Sequence, residues 1–276
     1  MDMGRILYHY TDFSSLDGIL SNYELRVNNV LNMNDAQEME LFISGLFSAV
    51  TKRFSEIQDD AMVNRLNIMH DAIRDRRFDY PAYAACFSEF RDDAAQWERY
   101  ANKGKGVCLC FDEAVLSKLT GGAIELHKVF YTSNVDDHPL VDRFFKLLQE
   151  KKELANSPEL RDAAHEALRN SASFKHPSFS SEHEIRLTVM PFEVPDFDLI
   201  PKYHISRERI KKYYPLDLKK MCSENGVTVE DLIIELIIGP ESTQSPSILH
   251  DYLNDMGFPK LAGHITTSDC PLRSKI

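Results

Sequence analysis

Near the last third of the chain, Glu182-His183-Glu184-Ile185-Arg186-Leu187-Thr188-Val189-Met190 alternates charged or polar side chains with mostly apolar ones. Successive side chains of a strand leave on opposite faces. One face therefore carries Glu182, Glu184, Arg186 and Thr188, and the other carries His183, Ile185, Leu187 and Val189. Such a strand is anchored by its back and presents two carboxylates and a guanidinium in a row. Two readings are open. Periodicity alone favours a solvated sheet face whose same-strand ion pair is worth little. The other reading is a cleft wall, where one carboxylate steadies a developing positive charge and Arg186 keeps the carboxylates ionised and oriented.

The rest of the chain mixes strands and helices without a regular βαβ beat and without an internal repeat. Strand patterns are expected over 6–11, 24–30, 82–88, 107–112, 123–131 and 182–190, then over 232–238 and 262–267. Helical spacing is expected over 13–20, about 35–52, about 59–76, 93–101 and 247–256. Asp35 is placed to cap its helix, with Glu38 in the capping-box position. A polar-rich helical stretch over about 139–169 is broken near 156–158. The expected architecture is a single α+β domain over 1–276, with a mainly antiparallel sheet, flanking helices and a helical insertion at about 137–171.

Charge narrows the function classes. The 276 residues hold 32 Lys+Arg and 43 Asp+Glu, a formal charge of −11. Coating nucleic acid needs dense cationic patches, and the basic residues here are mixed with acids, so nucleic acid is disfavoured as a partner. No run approaches the ~18 consecutive apolar residues of a membrane-spanning helix. The opening MDMGRILYHYTD has an acid at Asp2 and a strand-like pattern rather than a signal peptide, so a cytoplasmic protein is expected. Five cysteines are present, and only Cys108-x-Cys110 are close. Zinc sites usually space ligands by about two to four residues and use a second such pair, so no metal is expected and the thiols read as reduced and buried.

Other segments offer candidate side chains. His9 ends the first strand beside aromatic rings, as a structural donor or as a partner for a ligand hydroxyl, and Tyr10 offers a flat stacking surface. Ala82, Ala84, Cys86 and Ser88 make one strand face small throughout, fit for close approach of a helix or of a ligand. Ser88 has no partner for a nucleophile triad. Ala94, Trp97, Tyr100 and Ala101 form a helical stripe that reads first as core. Asn34 is a candidate loop contact. Gly104-Lys105-Gly106 matches neither the P-loop nor the dinucleotide fingerprint.

Taken in order, these segments resemble a known family. Tyr8-His9-Tyr10-Thr11 with Leu16 and Ile19-Leu20 resembles its opening. Asn34-Asp35-Ala36-Gln37-Glu38 is similar to its Asn-Asp-Pro-x-Glu segment, and Cys86-Phe87-Ser88-Glu89 to its Phe-Ser strand. Trp97-Glu98-Arg99-Tyr100-Ala101, followed by Gly106-Val107, resembles its Trp-x-x-Tyr-Ala…Gly-Val block. Lys175, Phe179 and Glu182-His183-Glu184-Ile185-Arg186 resemble its Lys…Trp-x-x-Glu-x-Glu-x-Arg strand, with Phe179 in place of Trp. Glu235-Leu236-Ile237-Ile238-Gly239-Pro240 resembles its closing strand. The family is the bacterial domain-of-unknown-function 2971 family, and the resemblance runs over nearly the whole chain.

That family in turn resembles the ADP-ribosyltransferase-like fold, with a split antiparallel sheet. The resemblance implies NAD as substrate, a macromolecule or water as acceptor, and toxin or phage-defence roles, with an antitoxin as a further partner. Breaking the nicotinamide–ribose bond builds an oxocarbenium-like cation. Glu184 is then expected against the ribose, and Glu182 is expected to orient or deprotonate the acceptor. His9 would bond the adenosine ribose, Tyr10 or Trp97 would stack on a ring, and Ser88 would support the nicotinamide end. Lys175 and Arg186 would meet the pyrophosphate, with Thr11, Asn34 and Tyr100 completing the dinucleotide site. The Glu-x-Glu order resembles arginine-modifying transferases while His9 resembles the other class, so the acceptor stays open. The alternatives are a non-catalytic module on the same fold that binds a nucleotide or a phage component, and a relative of RNA 2′-phosphotransferases.

Overall fold

Alternation along the strands decides which side chains enter the main core. Leu7, Leu25, Val27, Phe87, Leu109, Ile185 and Leu187 all fall on one face of a sheet and are buried together. The computed structural model describes residues 4–32, 38–54, 60–79, 81–150, 154–155, 157–191, 199–205 and 210–272. Asn34 and the Asp35 cap lie outside the described residues.

The strands are β1 (Ile6–Thr11), β2 (Glu24–Asn29), β3 (Tyr83–Ser88), β4 (Val107–Asp112), β5 (Ile124–Lys128), β6 (Phe130–Tyr131), β7 (Phe174–Lys175), β8 (Glu184–Val189), β9 (Lys202–Ile205), β10 (Ile210–Asp217), β11 (Ile233–Ile238) and β12 (Ile265–Thr267). The helices are α1 (Phe13–Asn22), α2 (Glu38–Phe54), α3 (Asp60–Asp79), α4 (Ala94–Tyr100), α5 (Glu113–Lys118), α6 (Pro139–Glu150), α7 (Pro158–Ser171), α8 (Leu218–Glu224), α9 (Val229–Leu232), α10 (Pro246–Asp255) and α11 (Pro259–Ala262). The large sheet runs β12-β11-β4-β1-β3-β2-β10-β9, with β8 and β5 branching from β3. Among the described residues, only β11 and β12 pair in parallel within it. A mixed α and β architecture with a mostly antiparallel sheet and flanking helices is therefore what the chain adopts.

The branch at β3 opens the sheet. One edge of β3 pairs with β8 along its whole length, from Tyr83 opposite Val189 to Ser88 opposite Glu184. The other edge is shared. β1 meets it only at Tyr8 opposite Ser88, and β2 meets it only at Asn28 opposite Ala84 and Asn29 opposite Tyr83. Between those points β1 and β2 part, and Ala85, Cys86 and Phe87 have no ladder partner on that side.

Helices cover both faces. α1, α5 and α8 to α11 close the main core. On the opposite face, α2, α3, α6 and α7 pack into a second core with Ala82, which precedes β3, and Ala84 of β3. Ala163, Ala164 and Ala167 of α7 are fully buried there, and their small size lets α7 lie close against its neighbours. Ser157 caps α7, and Pro158 opens its first turn, which explains the break expected near 156–158. A third, smaller cluster joins Tyr8 and Tyr10 of β1 to Trp97, Ala101, Cys108, Cys110 and Ile237. All five cysteines are free thiols.

Several boundaries differ from expectation. The strand expected over 182–190 starts at Glu184, because Pro177–Glu182 is a 3₁₀ helix and His183 takes a left-handed backbone (φ 43°). The strand expected over 123–131 is two pieces, and β6 pairs with β7 in a separate parallel pair. The β9–β10 hairpin and the short helices α5, α8, α9 and α11 were not anticipated.

Gly106 and Gly239 mark where two backbones cross. A Cβ on Gly239 would lie 2.3 Å from the Gly104 carbonyl oxygen, and one on Gly106 would lie 2.1 Å from that of Thr11. Gly239→Ala is expected to lower unfolding free energy by roughly 1–3 kcal/mol, read from the urea midpoint. An unchanged midpoint would show that the crossing relaxes freely.

Candidate functional site

Where β1 and β2 part, the gap is a cavity of about 200 Å³. Tyr8, His9 and Tyr10 of β1, Arg26 and Asn28 of β2, and Ala84 to Ser88 of β3 line it. Gln96, Tyr100, Lys175, Glu182 and Glu184 complete the wall. The small face of β3 thus serves both purposes left open by its sequence. Ala82 and Ala84 admit the helical layer, while Ala84, Cys86 and Ser88 floor the cavity.

One wall is a buried ion cluster. Lys175 Nζ donates to Glu182 Oε2 at 2.6 Å and to Glu184 Oε2 at 3.0 Å. Arg186, fully buried, donates from Nε to Glu184 Oε1 at 2.8 Å and from Nη1 to the Ala172 carbonyl at 2.8 Å. Arg99 and the Tyr100 hydroxyl donate to Glu182 Oε1 at 2.8 and 3.0 Å. The left-handed turn at His183 is what brings Glu182 round to Lys175 although it is not on the strand. Ser88 Oγ and Gln96 Nε2 hold that turn by donating to the Glu182 carbonyl at 3.1 and 3.2 Å. The solvated-face reading of Glu182, Glu184, Arg186 and Thr188 is thereby overturned. All four are buried: Lys175, Arg99 and Tyr100 engage the glutamates, Arg186 reaches the Ala172 carbonyl, and Thr188 lies beside β5.

Burial penalises the charge on Glu184, but the Arg186 and Lys175 cations outweigh it and hold the carboxyl at about 2. Glu184 is an anion at any physiological pH. Burial, reinforced by that anion, pushes the Cys86 thiol well up, so Cys86 stays protonated beside Glu184. Burial also lowers the pKa of His9, against the opposing effect of its bond to Cys86. His9 Nδ1 lies 2.9 Å from the Cys86 carbonyl, on the stretch of β3 that lacks a ladder partner. A carbonyl only accepts, so Nδ1 carries the proton, and the neutral ring leaves Nε2 as an acceptor.

The candidate residues divide into those the cavity gathers and those it does not. His9, Tyr10, Ser88, Tyr100, Lys175, Glu182 and Glu184 line it together. Thr11 and Arg186 are buried off its surface. Trp97 does not fit the stacking role: its ring is 0% exposed, its Nε1 donates to Asp92 at 2.7 Å, and it meets Tyr10 edge-on at 4.9 Å. The Tyr10 hydroxyl is spent on the Phe90 carbonyl at 2.9 Å and on the Asp93 amide at 3.1 Å. Lys175 and Arg186 do not stand ready for a pyrophosphate, since the two glutamates engage them. Sequence reasoning missed Arg26, Asn28 and Gln96 as cavity residues. Arg26 and Asn28 share a face of β2 by alternation, but nothing local says that the sheet parts there.

The Trp97 to Ala101 block and the Lys175 to Arg186 strand now stand together as α4 and the ion-cluster wall. Residues 96–187 match a family described as a protein of unknown function, DUF2971. The family resemblance is borne out over that stretch, and the DUF2971 segment supplies Gln96, Tyr100, Lys175, Glu182 and Glu184 to the cavity. The motifs at Tyr8, Cys86 and Glu235 lie outside the matched residues. Neither a curated protein nor a solved structure matches the chain. Among the described residues, no group of three or more His, Cys, Asp or Glu is placed to hold a metal ion, and no helix is long and apolar enough to cross a membrane.

Proposed function

We propose that the cavity binds NAD and that the chain is an ADP-ribosyltransferase-like enzyme, breaking the nicotinamide–ribose bond and passing ADP-ribose to a macromolecule or to water. The observation that carries this reading is the meeting of His9, Ser88 and Glu184, from three strands, in one cavity where an antiparallel sheet parts. That is the arrangement the ADP-ribosyltransferase-like resemblance implies. The electron pair of the breaking C1′–N bond leaves with nicotinamide, and the ribose becomes oxocarbenium-like. The Glu184 anion stabilises that cation. The acceptor hydroxyl, or water, then attacks C1′, and its proton passes to a base, the role assigned to Glu182. Neutral His9 supplies an acceptor for a ribose hydroxyl. A cavity of about 200 Å³ is smaller than the roughly 300–1,000 Å³ of sites that enclose a drug-sized ligand. It therefore takes one end of the dinucleotide, and the remainder lies along its open side. A toxin or phage-defence role, an antitoxin partner and a cytoplasmic site of action belong to the same proposal.

A second reading has its own support. All four carboxylate oxygens of Glu182 and Glu184 already accept from a protein donor. A site so fully satisfied suits a non-catalytic module that binds a nucleotide. Incubating the protein with NAD separates the two readings. The enzyme is expected to yield free nicotinamide over many turnovers, whereas the binding module gives calorimetric heat and leaves NAD intact.

A further inference from the structure

The polar groups of the cavity are spent unevenly. On the DUF2971 side, Lys175 and Arg186 are engaged by Glu182 and Glu184, Tyr100 and Arg99 by Glu182, and the Ser88 hydroxyl and Gln96 amide by the Glu182 carbonyl. The two buried cations and two carboxylates of that wall cancel. On the opposite wall, Arg26 has no hydrogen bond and no carboxylate partner among the described residues. Its guanidinium rests over the Tyr213 ring, 5.0 Å from the centroid, which orients the fork without using its N–H donors. Arg26 is exposed and lines the cavity, so it is open to solvent and to a ligand. Asn28, two residues along the same face of β2, also lines the cavity and makes no side-chain hydrogen bond among the described residues.

We infer that Arg26 is the anion-recognising residue of this site and that it receives the diphosphate of a nucleotide whose other end enters the cavity. The inference rests on the proposed nucleotide reading and assigns the diphosphate contact away from Lys175 and Arg186. A guanidinium matches phosphate oxygens with paired N–H donors, and among the described residues Arg26 is the cavity-lining cation without a carboxylate partner. Asn28 lies near enough along β2 to share an oxygen of the same group.

Calorimetric titration of the full chain with ADP, with inorganic pyrophosphate and with adenosine as the neutral control tests this. The Arg26 side chain is exposed and makes no hydrogen bond among the described residues, so Arg26→Gln keeps the fold, which a thermal melt verifies. Arg26→Gln is expected to weaken ADP and pyrophosphate binding about 10–100-fold and to leave adenosine unchanged. Arg26→Lys should recover part of the loss. Raising the salt concentration should weaken ADP binding in the wild type more than in Arg26→Gln. Equal ADP affinity in wild type and Arg26→Gln overturns the inference, as does a wild type that binds none of the three. ADP binding that depends on Arg26, without nicotinamide release from NAD, keeps the inference and removes the transferase reading. Nicotinamide release whose KM for NAD is untouched by Arg26→Gln does the reverse.

Discussion

Arg186→Met is expected to lower the unfolding free energy by about 3–5 kcal/mol, the usual cost of removing one partner from a buried ion pair. For a chain of this size that is a fall of roughly 6–20 °C in melting temperature. The side chain is fully buried and makes bonds to Glu184 and to the Ala172 carbonyl. Its loss leaves the carbonyl without that donor and the Glu184 anion with Lys175 as its remaining cation. Arg99→Met is the control. Arg99 also bonds a cluster carboxylate, but its side chain is 43% exposed, so its loss should stay within about 1 kcal/mol. The same cluster sets the acid limb of stability. The Glu184 carboxyl is held at about 2 in the folded chain, against an ordinary 4.5. A folded pKa below the unfolded one contributes stability that is fully present above about pH 4.5 and drains away as the pH falls toward 2. That depression corresponds to about 3 kcal/mol. In Arg186→Met, burial is opposed by one cation fewer, the carboxyl pKa rises, and the acid limb flattens. Urea titrations at pH 7 and pH 3 read both effects. A variant as stable as wild type at pH 7 would mean that the cluster contributes no more than a surface pair.

How much of this was legible in the sequence depends on whether the deciding contact was local. The faces of β1, β3 and β8 follow from alternation, and the structure assigns Leu7, Phe87, Ile185 and Leu187 to the core side as that alternation requires. The β9–β10 hairpin was missed because Pro215 interrupts its pattern and β9 is exposed throughout. Proline inside a run argues against a strand unless the strand lies near a sheet edge, and β9 is the edge strand. The burial of the β8 charges was not legible. Lys175 is close in sequence, but Arg99 and Tyr100 arrive from α4, more than 80 residues away. The left-handed turn at His183 was hidden too, since Glu182-His183-Glu184 continues the alternation without a break. Trp97 carried two meanings at helical spacing, core or ligand stacking, and only its packing under Tyr10 distinguishes them. Arg26 carries no local signal, since its alternation with Glu24 and Asn28 is that of any polar strand face, and the parting of β1 from β2 is a tertiary fact.

Glu184→Gln is expected to reduce nicotinamide release by about 10²–10³-fold, the typical loss when one preorganised electrostatic contact is removed from a developing charge. Glutamine keeps the shape and removes the anion that, in the proposed reaction, faces the oxocarbenium-like ribose. Glu182→Gln is expected to act on a different step. Its partners are Lys175, Arg99 and Tyr100 rather than Arg186. As the base for the acceptor it should slow transfer, with a smaller effect on the first bond broken. Both variants disturb the ion cluster, so each needs a thermal melt showing that it remains folded under assay conditions. The direct measurement is chromatographic quantitation of nicotinamide from NAD with wild type, Glu184→Gln and Glu182→Gln side by side at pH 7. The account predicts multiple turnovers by wild type and at least a hundredfold loss in folded Glu184→Gln. NAD left intact by wild type after long incubation at high protein concentration would contradict it, and so would a folded Glu184→Gln that releases nicotinamide at the wild-type rate.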